Sequence, residues 1–488
     1  MAAQFENSRK IIERLWVEGM LELQTPARFG GGEADDLLDM PLLLDAVQQR
    51  ALLTGASIAG ALRNYLRSRE AGYNHAEDDG SLCTALFGRA QSTATGAHSL
   101  LMTHDALSET PARPETELRD GVAIDPSTRT AEHGKKFDIE LLAAGTQFKL
   151  RFELFLTEDE TKHASLLQAL AIALQGFERG EIGLGARKRR GFGECKLAGD
   201  WTLLGYRTDE PKQLVAWLKR DQTQAKTNKS IAALLGVTDE KMALDGRHRF
   251  TLSATFGLQD SILIRSGSGE VNSPDAVHLH SRRDGEQVPV ISGTTLAGAL
   301  RARALRIVNT LGAKRGWESI EGIFGVREKP NGKGLKETER KLTSSRLIVR
   351  EAVIKNAVAP EQVQQRVKID RFTGGSFPTG LFSEQPALAT NETEVKLHLE
   401  LLGARDHEVG LLLLLLKDLW SGDLPVGGES SVGRGRLKGK EATLSYGSKG
   451  TWVITQSESK LNIVGDAEKL EGYVGKIAAW IQGEQHDH

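Results

Sequence analysis

At 488 residues, with 39% hydrophobic and 26% charged side chains and a formal net charge of -2, the chain exceeds one ordinary domain of about 100–200 residues and is neither a disordered tail nor a polycation. Any nucleic-acid surface must therefore be local. The two cysteines, Cys83 and Cys195, stand far apart in no paired spacing, which argues against a disulfide framework or zinc site and fits a reducing cytoplasm. The start, MAAQFENSRKIIERLW, lacks a signal peptide's basic-then-apolar layout, and the apolar run LLLLLL at 411–416 is far short of a bilayer span, so neither a membrane segment nor a membrane partner is expected.

In chain order, RLWVEGMLELQTP (14–26) alternates apolar and polar residues and predicts an opening strand. A glycine-bearing loop follows. In TGASIAGALRNYLR (54–67) leucines and alanines recur at helical spacing, and Ser57 is placed to cap the helix. LFG (86–88) and VAID (122–125) come next, then FKLRFELFL (148–156), whose strict alternation reads as a half-buried strand. The apolar helix ASLLQALAIALQGFERGEIGLG then runs into GLGARKRRGFGECKL (183–197).

The same series is written a second time. HRFTLSATFGLQD opens it, SGTTLAGALRARAL (292–305) matches the first helix with Thr295 in the place of Ser57, and IFG (323–325), VKID (367–370) and EVKLHLELLG follow in order. EVGLLLLLLKDLWSGDLPVGG then leads into VGGESSVGRGRLK (426–438). Strand, helix, strands, helix, glycine-rich loop and closing strand is the ferredoxin-like split βαβ plan, so an α+β chain of two tandem units is predicted. The expected boundaries are 1–198 and 248–440 for the units, a polar, helix-prone linker at 199–247, and an extension at 441–488.

Segment 183–197 packs four glycines and five basic residues into fifteen positions. Glycine permits φ > 0 and a close ligand approach, and successive N–H groups can form a nest for an anion. Gly183, Gly185, Gly191 and Gly193, with Arg187, Lys188, Arg189 and Arg190, therefore predict a clamp on a phosphate backbone. Gly428, Gly433 and Gly435 stand opposite Gly185, Gly191 and Gly193 in the second copy, where Arg434 and Arg436 supply the charge. The alternative, a tight helix-to-strand crossing beside a solvated basic face, stays open at this level. Neither segment ends in the GK[ST] of a mononucleotide P-loop.

The glycine-rich loop after the second helix, the GxSxxGxLR-like helix, FG and IDxxT together resemble the repeat-associated mysterious protein (RAMP) superfamily of CRISPR systems. ELQTPARFGGGEADDLLDMPLLLD and VAIDPSTRTAEHGKKFDIELLAAGTQF carry the likeness through the first unit. It covers about 15–197 strongly and 248–440 more loosely. Each unit is similar to a backbone subunit of type III effector complexes, and the fused pair most resembles the tandem subunit of type III-D systems. The resemblance implies two ferredoxin-like, RRM-like domains with inserted thumb hairpins. Their partners are the CRISPR guide RNA, a complementary single-stranded target RNA and other subunits of the complex.

It also implies a site. An aspartate in the loop after the first strand is implicated in metal-dependent target cutting, and the matching residue is Asp39; Asp275, before the first helix of the second unit, is its counterpart. Two regularly spaced cuts would result. Asp39, Asp36 and Asp275 are the expected ligands of a divalent cation, Mg²⁺, with Asp35 a further partner. Ser57, Arg63, Thr295 and Arg301 either serve the helices or touch the guide. Asp125 and Asp370, followed by Arg129 and Arg371, fall in the segments similar to the thumbs and are expected to position them. His278 and His280 are either an acid–base pair or the exposed side of a strand. A non-cutting scaffold is one alternative. A guide-processing endoribonuclease is another, disfavoured because the first histidine, His75, comes only after the first helix.

Overall fold

The computed structural model describes residues 10–30, 41–89, 98–110, 113–125, 128, 130–266, 274–314, 316–326, 344–358, 363–457 and 460–483. The chain divides into two compact units, one of Met1–Leu118, Ile139–Lys188 and Phe192–Arg247, the other of Arg119–Asp138, Arg189–Gly191 and His248–His488.

The first unit is built on β1 (Ile11–Leu23), α1 (Gly55–Ala71), α2 (Leu82–Phe87), β2 (Leu101–Thr103), the base of a hairpin of β3 (Thr116–Ile124) and β4 (Ala131–Leu142), whose outer part Arg119–Asp138 is counted with the second unit, β5 (Gln147–Thr157), α3 (His163–Glu178) and β6 (Cys195–Arg207). Its sheet runs β2-β5-β1-β6, every pair antiparallel. That is the ferredoxin order, with the first strand between the third and the fourth. Alternation decides which face is buried: Val17 and Leu21 of β1 stand opposite Phe152 and Phe148 of β5. Those four side chains meet Ile58, Leu62 and Leu66 of α1 and Leu166 and Leu170 of α3, all buried. Removing each such side chain from water contributes about 1.5–3 kcal/mol.

The second unit repeats the plan with β7 (Arg249–Leu258), β8 (Ala276–His278), α4 (Gly293–Thr310), α5 (Gly316–Phe324), β9 (Leu347–Val349), the hairpin β10 (Gln364–Ile369) and β11 (Ser376–Gln385), β12 (Glu394–Leu402), α6 (Asp406–Trp420) and β13 (Leu437–Tyr446). β9, β12, β7 and β13 are neighbours in that order. The first strand again lies between the third and the fourth.

Two boundaries differ from expectation. Residues 199–247 are not a linker, because β6 continues to Arg207 and Lys226–Asn228 adds a strand beside it. Ile231, Ala232, Leu235 and Met242 are buried in the first core. Arg69, 1% exposed, donates to the carbonyls of Leu244 (2.8 Å) and Met242 (2.9 Å) and fastens the segment's end. The polar composition concealed four apolar residues carried by two short helices, Ile231–Leu235 and Asp239–Met242. Residues 441–488 likewise complete the second unit: β14 (Thr451–Ser457) and β15 (Lys460–Val464) widen its sheet, and α7 (Ala467–Gly483) buries Leu470, Tyr473, Ile477 and Ile481.

If 199–247 is core, Ile231→Ala should lower stability in urea denaturation by about 2–5 kcal/mol. A linker residue would shift it by less than about 0.5 kcal/mol.

Candidate nucleic-acid interface

Both glycine-rich loops lock onto the chain just beyond the first strand of their unit. In the first, Leu184 N–H donates to Gly193 O (2.9 Å), Ala186 N–H to Arg28 O (3.0 Å) and Gly193 N–H to Pro26 O (2.9 Å). In the second, Val426 donates to Gly435 O (2.9 Å), Gly428 to Leu263 O (2.8 Å) and Gly435 to Ser261 O (2.8 Å). The bonds match one for one. Left-handed backbone recurs in step: φ is 83°, 55°, 81° and 69° at Gly185, Arg187, Gly191 and Gly193, and 93°, 58°, 95° and 76° at Gly427, Glu429, Gly433 and Gly435. Gly185 therefore corresponds to Gly427, one residue before the Gly428 expected from the sequence.

The glycines are needed first by the protein's own backbone. A Cβ on Gly193 would overlap the carbonyl oxygen of Leu184, one on Gly435 that of Val426, and one on Gly185 that of Arg28. Gly183 bridges to Glu194 without a positive φ. Gly433 faces open space and needs only its left-handed backbone.

The basic residues divide. Arg187 is half-buried and Lys188 exposed. Arg189 and Arg190 belong to the second unit, where Arg189 donates to Ser345 O and Arg190 reaches Phe324 O (3.3 Å) and Leu347 O (3.4 Å). Burial, then the charges of Arg301 and Arg189, lower the Arg190 pKa to about 10, still cationic at neutral pH. Arg434 is buried as well, donating to Gln364 (2.7 Å) and paired with Glu429 (3.1 Å) and Glu384 (3.4 Å). These three arginines bind protein carbonyls and carboxylates where a solvent-facing clamp was expected. Arg436 is exposed.

The helix caps are Thr54 and Ser292, whose oxygens accept from Ser57 N–H (3.3 Å) and Thr295 N–H (3.2 Å). Ser57 and Thr295 thus sit three residues past the cap, inside the first turn. Arg63 pairs with Glu77 through two bonds (2.9 and 2.5 Å) and donates to Gly88 O (3.1 Å). Arg301 donates to Gly325 O (3.4 Å) and lies 4.9 Å from the Trp317 ring. Gly88 and Gly325 are the glycines of LFG and IFG, so each helix arginine holds the FG turn of its own unit. That contact links two repeated motifs that looked independent.

Asp125 and Asp370 shape the hairpin tips. Asp370 Oδ1 accepts from Phe372 N–H (2.7 Å) and Thr373 N–H (3.0 Å), and these amides hold its pKa below the ordinary carboxylate value. The turn presents Phe372 at full exposure. Asp125 accepts from Thr128 N–H (3.2 Å); Arg129 lies outside the described residues and Arg371 is exposed.

Asp35, Asp36 and Asp39 also lie outside the described residues. Asp275 is exposed, and its Oδ2 accepts from Ser383 N–H (2.7 Å) and Oγ–H (2.9 Å), clasping the start of β8 to β11. Among the described residues no group of three or more His, Cys, Asp or Glu side chains could hold a metal ion. His278 is buried rather than exposed: Nδ1 accepts from Ile264 N–H (3.2 Å) and Nε2 faces Val290 O (3.2 Å). Burial, then the neighbouring His280, push its pKa down to about 3, which leaves a neutral structural imidazole. The sequence reading also missed Arg28 and Glu429; aligning the loops residue by residue sets Glu429 against Arg187 and would have found one of them.

Among known proteins, the family model of the RAMP superfamily matches residues 20–196 and 258–438, each stretch running from the end of a first strand through a glycine-rich loop. No curated protein matches the chain.

Gly193→Ala combines a left-handed cost of about 1–2 kcal/mol with steric overlap of about 1–3 kcal/mol. Gly433→Ala carries only the first cost, so chemical denaturation should separate the two. His278 has a folded pKa below its unfolded value of about 6.5. The unfolded state then binds the extra proton, and stability falls as pH drops from about 6.5 toward 3. His278→Gln should lessen that pH slope by up to one proton.

Proposed function

The chain belongs to the RAMP superfamily of CRISPR-associated RNA-binding proteins, and on that premise we propose that it is a tandem backbone subunit of a type III effector complex, of the III-D kind, that holds guide RNA and cuts complementary RNA. The observation that carries this is the twice-built glycine loop, with matching φ angles and hydrogen bonds in both family-matched stretches. An RNA strand bound through its phosphates needs a fixed backbone shape and local cations, while base pairing reads the sequence. Lys188 and Arg436 are exposed and Arg187 is half-buried, whereas Arg189 and Arg190 are engaged with the carbonyls of Ser345, Leu347 and Phe324, and Arg434 is buried. The exposed Phe372 at a hairpin tip suits a wedge against a base.

For cutting, Asp39 is the proposed general base in the first unit. It would take the proton of the 2′-hydroxyl next to the scissile phosphate; the 2′-oxygen attacks phosphorus as the 5′-oxygen leaves and takes a proton from solvent water, giving a 2′,3′-cyclic phosphate and a 5′-hydroxyl. Asp36 and Asp39 would hold Mg²⁺, which would supply charge stabilisation at phosphorus. Asp275 is the proposed counterpart in the second unit. Among the described residues no group of acidic, His or Cys side chains gathers around it to hold a metal, so its proposed role is that of a base alone. The Ser383 clasp on Asp275 favours a second reading, in which the second unit binds without cutting.

Cleavage of guide-complementary RNA by the assembled complex with Mg²⁺ tests this. One cut should vanish in Asp39→Ala and with chelator, the other in Asp275→Ala, and both in the double variant. Loss in Asp39→Ala alone selects the second reading, and undiminished cutting by the double variant sinks catalysis by this chain.

A further inference from the structure

A cavity of about 180 Å³ lies within the second unit, lined by the paired strands His280–Arg283 and Glu286–Ile291 and by the residues that follow β11. It adjoins Asp275 along the chain. Asp275 Oδ2 accepts from Ser383 N–H (2.7 Å), Val277 pairs with Gln385, and Gln385 lines the cavity. We propose that this cavity takes one unpaired pyrimidine base of a bound RNA strand, received at its polar edge by His280 and Gln287 and held between Pro289, Pro386, Ala357 and Ala387. The site rests on the RNA-binding reading above and adds contact with a base to contacts with phosphate.

Size, fixed polarity and wall chemistry converge on it. A cavity of about 150 Å³ holds a benzene ring, so this one admits a single six-membered ring and is small for the fused rings of a purine. His280 is held from its inner side, with Nδ1 2.7 Å from His278 O. A carbonyl only accepts, so Nδ1 of the neutral ring carries the proton and Nε2 is the acceptor that remains. Such an acceptor suits the N4 amine of cytosine or the N3–H of uracil. His278 gives that carbonyl a fixed place, because its own ring bonds Ile264 N–H (3.2 Å) and Val290 O (3.2 Å). Pro289 stands opposite His280 across the strand pair, and Gln287, two residues from Pro289, lies on the same face of its strand with an amide that both donates and accepts. Pro289 and Pro386 are stiff and bring no amide hydrogen, and Ala357 and Ala387 are apolar. Apolar walls around a few fixed polar groups are what a base taken out of its stack requires.

The test is binding of labelled single strands to the full chain, followed by fluorescence anisotropy, with oligocytidylate, oligoadenylate and an abasic ribose-phosphate strand of one length. Ala357→Leu fills the cavity and should weaken oligocytidylate binding about tenfold, with the other two strands unchanged. The slope of log K against log salt should stay that of wild type, because no phosphate contact is lost. His280→Asn keeps a donor near the Nδ1 position and removes the Nε2 acceptor, so it should act in the same direction. If Ala357→Leu impairs folding, judged by the thermal midpoint, Gln287→Ala at the exposed wall decides, and should weaken oligocytidylate alone. Equal affinity of wild type and these variants for oligocytidylate overturns the site while leaving RNA binding intact. A loss shared by the abasic strand overturns it as well, since that loss would not depend on a base, and a loss shared by oligoadenylate alone overturns the pyrimidine assignment. A wild-type chain that binds none of the strands overturns the site and the RNA-binding reading together.

Discussion

Everything at the candidate interface depends on one close approach of backbone to backbone. The amide of Gly193 reaches Pro26 O and that of Ala186 reaches Arg28 O, with Gly435 and Gly428 doing the same to Ser261 and Leu263. A side chain cannot be inserted there, because any Cβ on Gly193 or Gly435 would overlap a carbonyl. The loop is thereby tied to the end of the central strand, whose register is set by pairing on both sides. A ligand meeting this loop meets a shape anchored in the core.

That constraint explains which parts of the duplicated unit stayed alike. The left-handed positions recur in step, and so does the bond from a helix arginine to the glycine carbonyl of the FG turn. Side chains that carry charge outward are free to differ, since no backbone bond depends on them. The second unit directs its loop charge inward, with Glu384 and Glu429 among Arg265, Arg366 and Arg434. Burial raises the Glu384 pKa and the adjacent Glu429 carboxylate raises it further. Such a network joins the glycine loop to β10 and β11, so the thumb-like hairpin and the loop of that unit are held as one body.

The basic run of 187–190 shows how unevenly arginines can serve. Four adjacent cations in a glycine-rich segment look like a single electrostatic surface, yet the turn at Lys188–Arg190 rotates successive side chains apart. Arg190 ends among carbonyls, where guanidinium donors replace water; Arg187 is half-buried, and burial, then the charge of Arg28, lower its pKa. Sequence proximity gave no measure of shared direction.

By itself the sequence determined the duplication, the βαββαβ plan and the site of the glycine-rich loop in each copy, because alternation, helical spacing and glycine placement are local properties of the chain. It also determined the aspartate turns of the two hairpins, which need only a few consecutive residues. Only the tertiary structure decided what the glycines are close to, that Thr54 and Ser292 cap the helices, that 199–247 is core, and that His278, Arg190 and Arg434 face inward. Each of these depends on residues distant in sequence meeting at a buried surface, and one chain's letters do not record which partner arrives there.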